Sequence, residues 1–204
     1  MMQARLNLIT ADPLRLEDSV NYIKGEVRPV VESLHGSLGM SLYTNPELGV
    51  AVLESFWASR EALLQSEQVA SPRRHDAVRR AMGTVSVERY RVPVFEREAP
   101  LGTGMGLRLT RMDVEPSRVE DAVETYGDTA VPWLAETDGF CGALLLIDPS
   151  TGHSISETIW LDDKALAASR SAAAAIRVET VSSTGCVIRA VEEYGLVFSS
   201  ARNA

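Results

Sequence analysis

The hydrophobic positions of the first hundred residues change period repeatedly, and each change marks an element. Residues Arg5 to Thr10 alternate between polar and apolar, which predicts a short strand. From Leu14 to Leu34 the apolar positions are Leu16, Val20, Ile23, Val27, Val30 and Leu34, three or four apart, which predicts one amphipathic helix with Gly36 after its end. The runs "SLGMSLYT" and "VAVLESFW" flank the turn "NPELG" and predict a hairpin. A second helical region is expected over Arg60 to Met82, broken near Ser71-Pro72 because proline removes an interior helix hydrogen bond. The run "TVSVERYRVPVF" closes the series as a strand, giving the order β-α-β-β-α-β.

The same series then begins again. An ungapped shift of 103 positions lays Arg5 on Arg108, Pro13 on Pro116, Pro29 on Pro132, Gly49 on Gly152, Glu54 on Glu157, Trp57 on Trp160 and Phe95 on Phe198. So many glycines, prolines and tryptophans in one register indicate a tandem duplication, with repeats over 1–96 and 107–204 and a linker over 97–106. The linker's Gly102, Gly104 and Gly106 lack the flanking strand and helix that a phosphate-binding loop requires. In the second repeat a helix is expected over Val119 to Thr137, a hairpin over Gly142 to Ile147 and Ser154 to Trp160, and a last strand over Val187 to Phe198. Each β-α-β-β-α-β unit makes a four-stranded antiparallel sheet with both helices on one face and leaves the other face apolar. The expected class is therefore α+β, two ferredoxin-like repeats whose sheets cover each other within one chain.

Composition narrows the function classes. With 45% hydrophobic and 24% charged residues the chain can build an ordinary core. Its net charge of -8 argues against a nucleic-acid partner, because neutralising phosphates needs a concentrated basic surface. No apolar run approaches the roughly 20 residues of a membrane helix, and the opening "MMQARLNLITADP" lacks the pattern of a secretory signal. No membrane partner and a cytoplasmic location are the expectations. Cys141 and Cys186 have no metal or redox spacing and read as reduced, buried small residues.

The segment Phe56-Trp57-Ala58-Ser59-Arg60-Glu61-Ala62-Leu63, a strand ending in Trp followed by a polar turn and a helix start, resembles the antibiotic-biosynthesis-monooxygenase domain of the dimeric α+β barrel superfamily. The resemblance covers nearly all of both repeats. It implies a small-molecule monooxygenase that oxidises an aromatic or polyketide-type substrate without a bound cofactor, as a monomer or homodimer with a small aromatic molecule as partner. A non-catalytic binding or structural protein and a haem-binding or haem-degrading monooxygenase are the alternatives on this scaffold. The Asn four residues before the Trp and the Tyr six after it in the cofactor-independent oxygenases are Leu53 and Leu63 here. The resemblance points to Asn7, Trp57, His75 and Arg79 as the catalytic candidates. Of these, Asn7 and His75 match the residues that flank haem in the haem-degrading branch, with His75 the ligand if haem is bound; no metal site is indicated.

Three residue groups have readings of their own. Arg73, Arg74, His75 and Arg79 form a basic cluster able to hold a carboxylate or phenolate, which the second repeat replaces with "SAAAAIRVETVSS". The first repeat is therefore expected to hold the functional pocket. Glu54 and Glu157 lie on apolar-rich strands, where a lone carboxylate is costly, and ion pairs Arg5–Glu54 and Arg108–Glu157 are expected. His153 reads as a strand-end histidine satisfied by its neighbours.

Overall fold

The chain is described by a computed structural model over residues 1–97 and 101–203; positions 98–100 of the expected linker, and 204, lie outside the described residues. The described residues form eight strands: β1 (Gln3–Thr10), β2 (Ser37–Asn45), β3 (Val50–Trp57), β4 (Thr84–Arg97), β5 (Gly106–Asp113), β6 (Phe140–Ile147), β7 (His153–Trp160) and β8 (Val187–Ser199). They close into one antiparallel barrel in the order β1-β3-β2-β8-β5-β7-β6-β4. Within each repeat the third strand runs between the first and second, as the split β-α-β arrangement demands.

Two compact units partition the chain: Met1–Arg89 with Leu196–Ala204, and Tyr90–Gly195. The repeats and the units are thus different divisions, because β4 and β8 each begin in one unit and end in the other. In the first unit the end of β8 brings Phe198 into the core around Ile23, Leu42, Leu53 and Trp57. In the second, the end of β4 brings Val94 against the core of Tyr126, Leu134, Leu145 and Trp160.

The helices follow the same offset. In the first repeat they are α1 (Leu16–Tyr22) and α2 (Arg28–Glu32), joined by a π-helical turn over Ile23–Val27, then α3 (Arg60–Gln65) and α4 (Glu67–Arg80). In the second, α5 (Val119–Thr125) and α6 (Val131–Ala135) flank a π turn over Tyr126–Ala130, and α7 (Asp163–Ala168) and α8 (Arg170–Thr184) follow. Ser59 caps α3 by accepting from the Ala62 amide at 3.2 Å, and Asp162 caps α7 through the Ala165 amide at 2.8 Å.

Two helix expectations are corrected. The π turn inserts a residue into the first helix, so the buried positions run Ile23, Val27, Val31 in steps of four, and Val31 takes the inward place expected of Val30. The second helical region breaks at Ser66, not at Pro72, which lies inside α4. Ser66 is where the chain is tied to β1, as described below. No helix among the described residues is long and apolar enough to cross a membrane. Cys141 and Cys186 are buried and outside any disulfide among the described residues, and His153 Nδ1 lies 2.8 Å from Asp113 Oδ1.

The hairpin turn of each repeat rests on a close backbone approach. Gly152 has φ 77°, and a Cβ at that position would lie 1.7 Å from the Val114 carbonyl oxygen; the same oxygen-facing geometry recurs at Gly49 against Ala11. Gly152→Ala combines left-handed strain with a backbone clash and is expected to cost at least about 2 kcal/mol. Urea unfolding of the variant against the parent protein measures it; an unchanged midpoint would refute the account.

Candidate functional site

Arg5 is a buried charged residue of β1, and its direction is set by register. It lies opposite Ser55 on β3, so it projects to the helix-bearing face with Ser55 and Trp57. Only 1% of Arg5 is exposed. Its Nη2 donates to the Leu63 carbonyl at 2.6 Å and to Ser66 Oγ at 2.9 Å, and Ser66 Oγ in turn donates to the same carbonyl at 2.7 Å. Glu67 Oε2 lies 3.0 Å from Nη2, and the guanidinium sits 5.8 Å from the Trp57 ring centroid. The arginine thereby fastens β1 to the junction of α3 and α4.

The expected Arg5–Glu54 pair is overturned by the same register. Glu54 is opposite Leu6, one residue out of step with Arg5, and so belongs to the other face of the sheet. Arg108 pairs with Thr158 while Glu157 pairs with Leu109, and the Arg108–Glu157 expectation fails identically. The ion pairs that form are Arg5–Glu67 at 3.0 Å and Arg108–Glu193 at 2.9 Å.

Beside Arg5 a small cavity, open to solvent, lies between the sheet and the helices of the first unit. Its floor is Arg5, Asn7, Leu53 and Ser55; α4 contributes Ala70, Arg73, Arg74 and Ala77; the π turn and α2 contribute Ile23, Val27 and Val31. The widened π turn is what spaces those three side chains to form one apolar wall. Asn7 Nδ2 donates to the Leu53 carbonyl at 3.0 Å, and its Oδ1 accepts from Arg74 Nη1 at 3.3 Å. Arg74 also pairs with Glu67. Trp57 Nε1 donates to Ser55 Oγ at 3.0 Å, leaving the Ser55 hydroxyl proton to donate in its turn.

The electrostatics are cationic. Glu67 is the carboxylate shared by Arg5, Arg74 and, at 3.8 Å, Arg89. Burial pushes the Glu67 carboxyl up, but the Arg74 hydrogen bond and the charges of Arg5, Arg74 and Arg89 hold it below its ordinary value. Burial, followed by the charges of Arg74 and Arg89, lowers Arg5 to about 10 against the raising influence of Glu67. Arg73 also lines the cavity, with its Nη1 donating to the Val69 carbonyl at 3.1 Å.

The four candidate residues separate. Asn7 lies in the cavity floor, and Trp57 is fully buried, one hydrogen bond behind Ser55. His75 and Arg79 are not brought to the cavity. Positions 70, 73, 74 and 77 are one face of α4, and 75 and 79 fall on the outward face, where both are exposed and Arg79 pairs with Asp76. Arg5 and Ser55 were missed as site residues, although the repeat of Arg5 at Arg108 was a signal that the position mattered.

The second unit repeats the clamp and changes its surroundings. Arg108 donates to the Leu166 carbonyl at 2.7 Å and to Ser169 Oγ at 2.9 Å, and lies 5.9 Å from the Trp160 centroid. Tyr126 stands in the place of Ile23, buried, its hydroxyl donating to the Glu157 carbonyl at 3.1 Å. Burial and then the Glu157 charge push its phenol well above the ordinary value. Ile176 stands where the first repeat has Arg73.

The fold, an eight-stranded α+β barrel of ferredoxin-like repeats, is similar to that of solved structures described as monooxygenase-like. Among solved structures, an anthrone oxidase-like protein is similar with a TM-score of 0.71 and 18% identity, over 97% of this chain and 92% of that one. A ferredoxin-fold protein from Listeria monocytogenes 4b F2365, related to antibiotic biosynthesis monooxygenases, has a TM-score of 0.56 and 11% identity over 95% and 94%. The haem-degrading enzyme LmHde from Listeria monocytogenes has a TM-score of 0.51 and 9% identity over 94% and 98%. In sequence, the uncharacterized protein Rv2558 of Mycobacterium tuberculosis H37Rv is 27% identical over 99% of this chain and 86% of its own length. No family model matches the chain.

Glu67→Gln is expected to destabilise the protein by about 1–3 kcal/mol at neutral pH, less than a fully buried pair because Glu67 is partly exposed. Because the folded carboxyl titrates below its unfolded value, the deficit relative to the parent is full above the ordinary carboxylate range and shrinks as pH falls through the lowered folded value. Paired urea titrations from neutral to acid pH check it; a deficit independent of pH would contradict the ion-pair origin.

Proposed function

We propose that the first unit's cavity is the substrate site of a monooxygenase-like enzyme acting on a small aromatic or polyketide-type molecule without a bound cofactor. The carrying observation is the cavity itself, apolar along the π turn and α2 and lined by Arg5, Arg73, Arg74, Asn7 and Ser55 on its polar side. An aromatic body would lie against the Ile23, Val27 and Val31 wall, and guanidinium groups favour the ionised form of a phenol or enol. Such an anion is electron-rich enough to give electrons to dioxygen. For an anthrone-type substrate the balanced reaction turns a ring methylene into a carbonyl; one oxygen atom enters the product, the other leaves as water, and the substrate supplies all four electrons.

In this reading Arg74, oriented by the Asn7 amide, stabilises the ionised oxygen, and Trp57 acts from behind by holding Ser55. The names of the solved neighbours, monooxygenase-like and anthrone oxidase-like among them, support the reading. Haem is less well suited to these residues. His35, His75 and His153 are all exposed, and none lines the cavity, so the wall offers no imidazole to the iron.

Oxygen uptake with anthrone, followed beside product absorbance, tests the proposal. Arg74→Gln and Asn7→Ala are expected to lower kcat/KM by about tenfold to a hundredfold, whereas His75→Ala and Arg79→Ala leave it unchanged. Anthrone binding without oxygen uptake would make the chain a binding protein; a large loss in His75→Ala together with a haem-induced Soret shift would restore the haem reading.

A further inference from the structure

The two repeats differ at one nitrogen. Arg108 and Arg5 make the same clamp to a leucine carbonyl, a serine hydroxyl and a tryptophan ring. In the second repeat, however, Nε of Arg108 donates to Glu193 Oε1 at 3.2 Å and Nη2 donates to the same oxygen at 2.9 Å, a carboxylate held side-on. In the first repeat the position corresponding to Glu193 is Tyr90. There Nε of Arg5 is buried without a hydrogen-bond partner, in a residue that lines the cavity. A buried charged donor left unsatisfied costs more than an ordinary hydrogen bond returns.

We infer that the ligand of this cavity is an amphipathic organic acid whose carboxylate occupies, at Arg5 Nε and Arg74, the place that Glu193 fills at Arg108. The inference rests on the reading of the cavity as the substrate site and names the chemistry that enters it. Charge balance supports it independently: Arg5, Arg74 and Arg89 share one carboxylate, Glu67, and Arg73 lines the same cavity. A second anion relieves the mutual repulsion that, with burial, already depresses Arg5. Arg74 is only 11% exposed, so its contact with an anion is screened weakly by solvent. Ser55 adds a hydroxyl donor on the floor. The opposite wall of Ile23, Val27 and Val31 has no polar side chain to offer, which favours an acid with a ring or chain body over a bare inorganic anion.

Calorimetric titration of the full chain with 2-naphthoate and with 2-naphthamide, nearly isosteric but uncharged, tests the inference. Naphthoate is expected to bind at least about tenfold more tightly. Arg74→Gln is expected to remove most of that preference while the amide binds as before. Tyr90→Glu writes the second repeat's carboxylate into the first and is expected to abolish naphthoate binding in a protein that still unfolds cooperatively; where that variant does not fold, Arg74→Gln decides alone. Equal affinity for the two probes, no naphthoate binding at millimolar concentration, or an undiminished preference in Arg74→Gln would overturn the inference. Oxygen uptake with anthrone is read separately. Uptake without carboxylate preference leaves the oxygenase reading and sinks this inference; carboxylate preference without uptake does the reverse.

Discussion

A buried guanidinium on the first strand of each repeat governs the arrangement around it. Removing a charge from water costs several kcal/mol unless it is paired and its donors are used, so Arg5 and Arg108 must be met by whatever lies above the sheet. What lies above is the junction of two helices, whose leucine carbonyl and serine hydroxyl both turn toward the arginine. The break between α3 and α4 therefore comes at Ser66, and that between α7 and α8 at Ser169. Once that junction is pinned, the direction in which α4 leaves it, and so the helix face it turns to the sheet, is fixed. The cavity is the gap between a helix set by this clamp and a first helix widened by its π turn.

The strands were legible because alternation survives in a sheet with two buried faces whenever polar residues sit among the apolar ones. The recurrence of one series of elements in both halves was legible for a different reason: Gly49 and Gly152, like Trp57 and Trp160, occupy places where few other residues fit, and their common spacing shows whatever stands between them. Register between strands was not legible. Two members of a pair can share a constant spacing in both repeats and still point to opposite faces, because one residue of slip reverses the side; this is why Glu54 was assigned to Arg5 while the pairing places it opposite Leu6.

The site was half legible for a related reason. Asn7 could be placed because a strand has only two faces. On α4 the basic run from Arg73 to Arg80 covers the whole circumference, and composition alone does not say which part of it faces inward. The inward face is 70, 73, 74 and 77, where alanines admit close packing and arginines reach the floor, so His75 and Arg79 belong to solvent. The π turn was equally invisible, since nothing in "IKGEV" or "YGDTA" shows a period other than that of an α-helix.

Divergence of the repeats then follows from how each satisfies the same buried cation. In the second unit the carboxylate comes from β8, engages Arg108 at two nitrogens and is shared with Arg170, which stands where the first repeat has Glu67. In the first unit the carboxylate comes from α4, reaches Arg5 at Nη2 only, and is divided among three arginines. Exchanging the sign at the start of the helix and the side chain on the last strand thus moves the counter-ion from sheet to helix. One arrangement satisfies the arginine with the chain's own groups, and Tyr126 and Ile176 pack in the core cluster of the Trp160 that it covers. The other leaves a buried donor without a partner in a residue that lines the cavity, and that difference, more than any residue the two halves share, sets the first repeat apart.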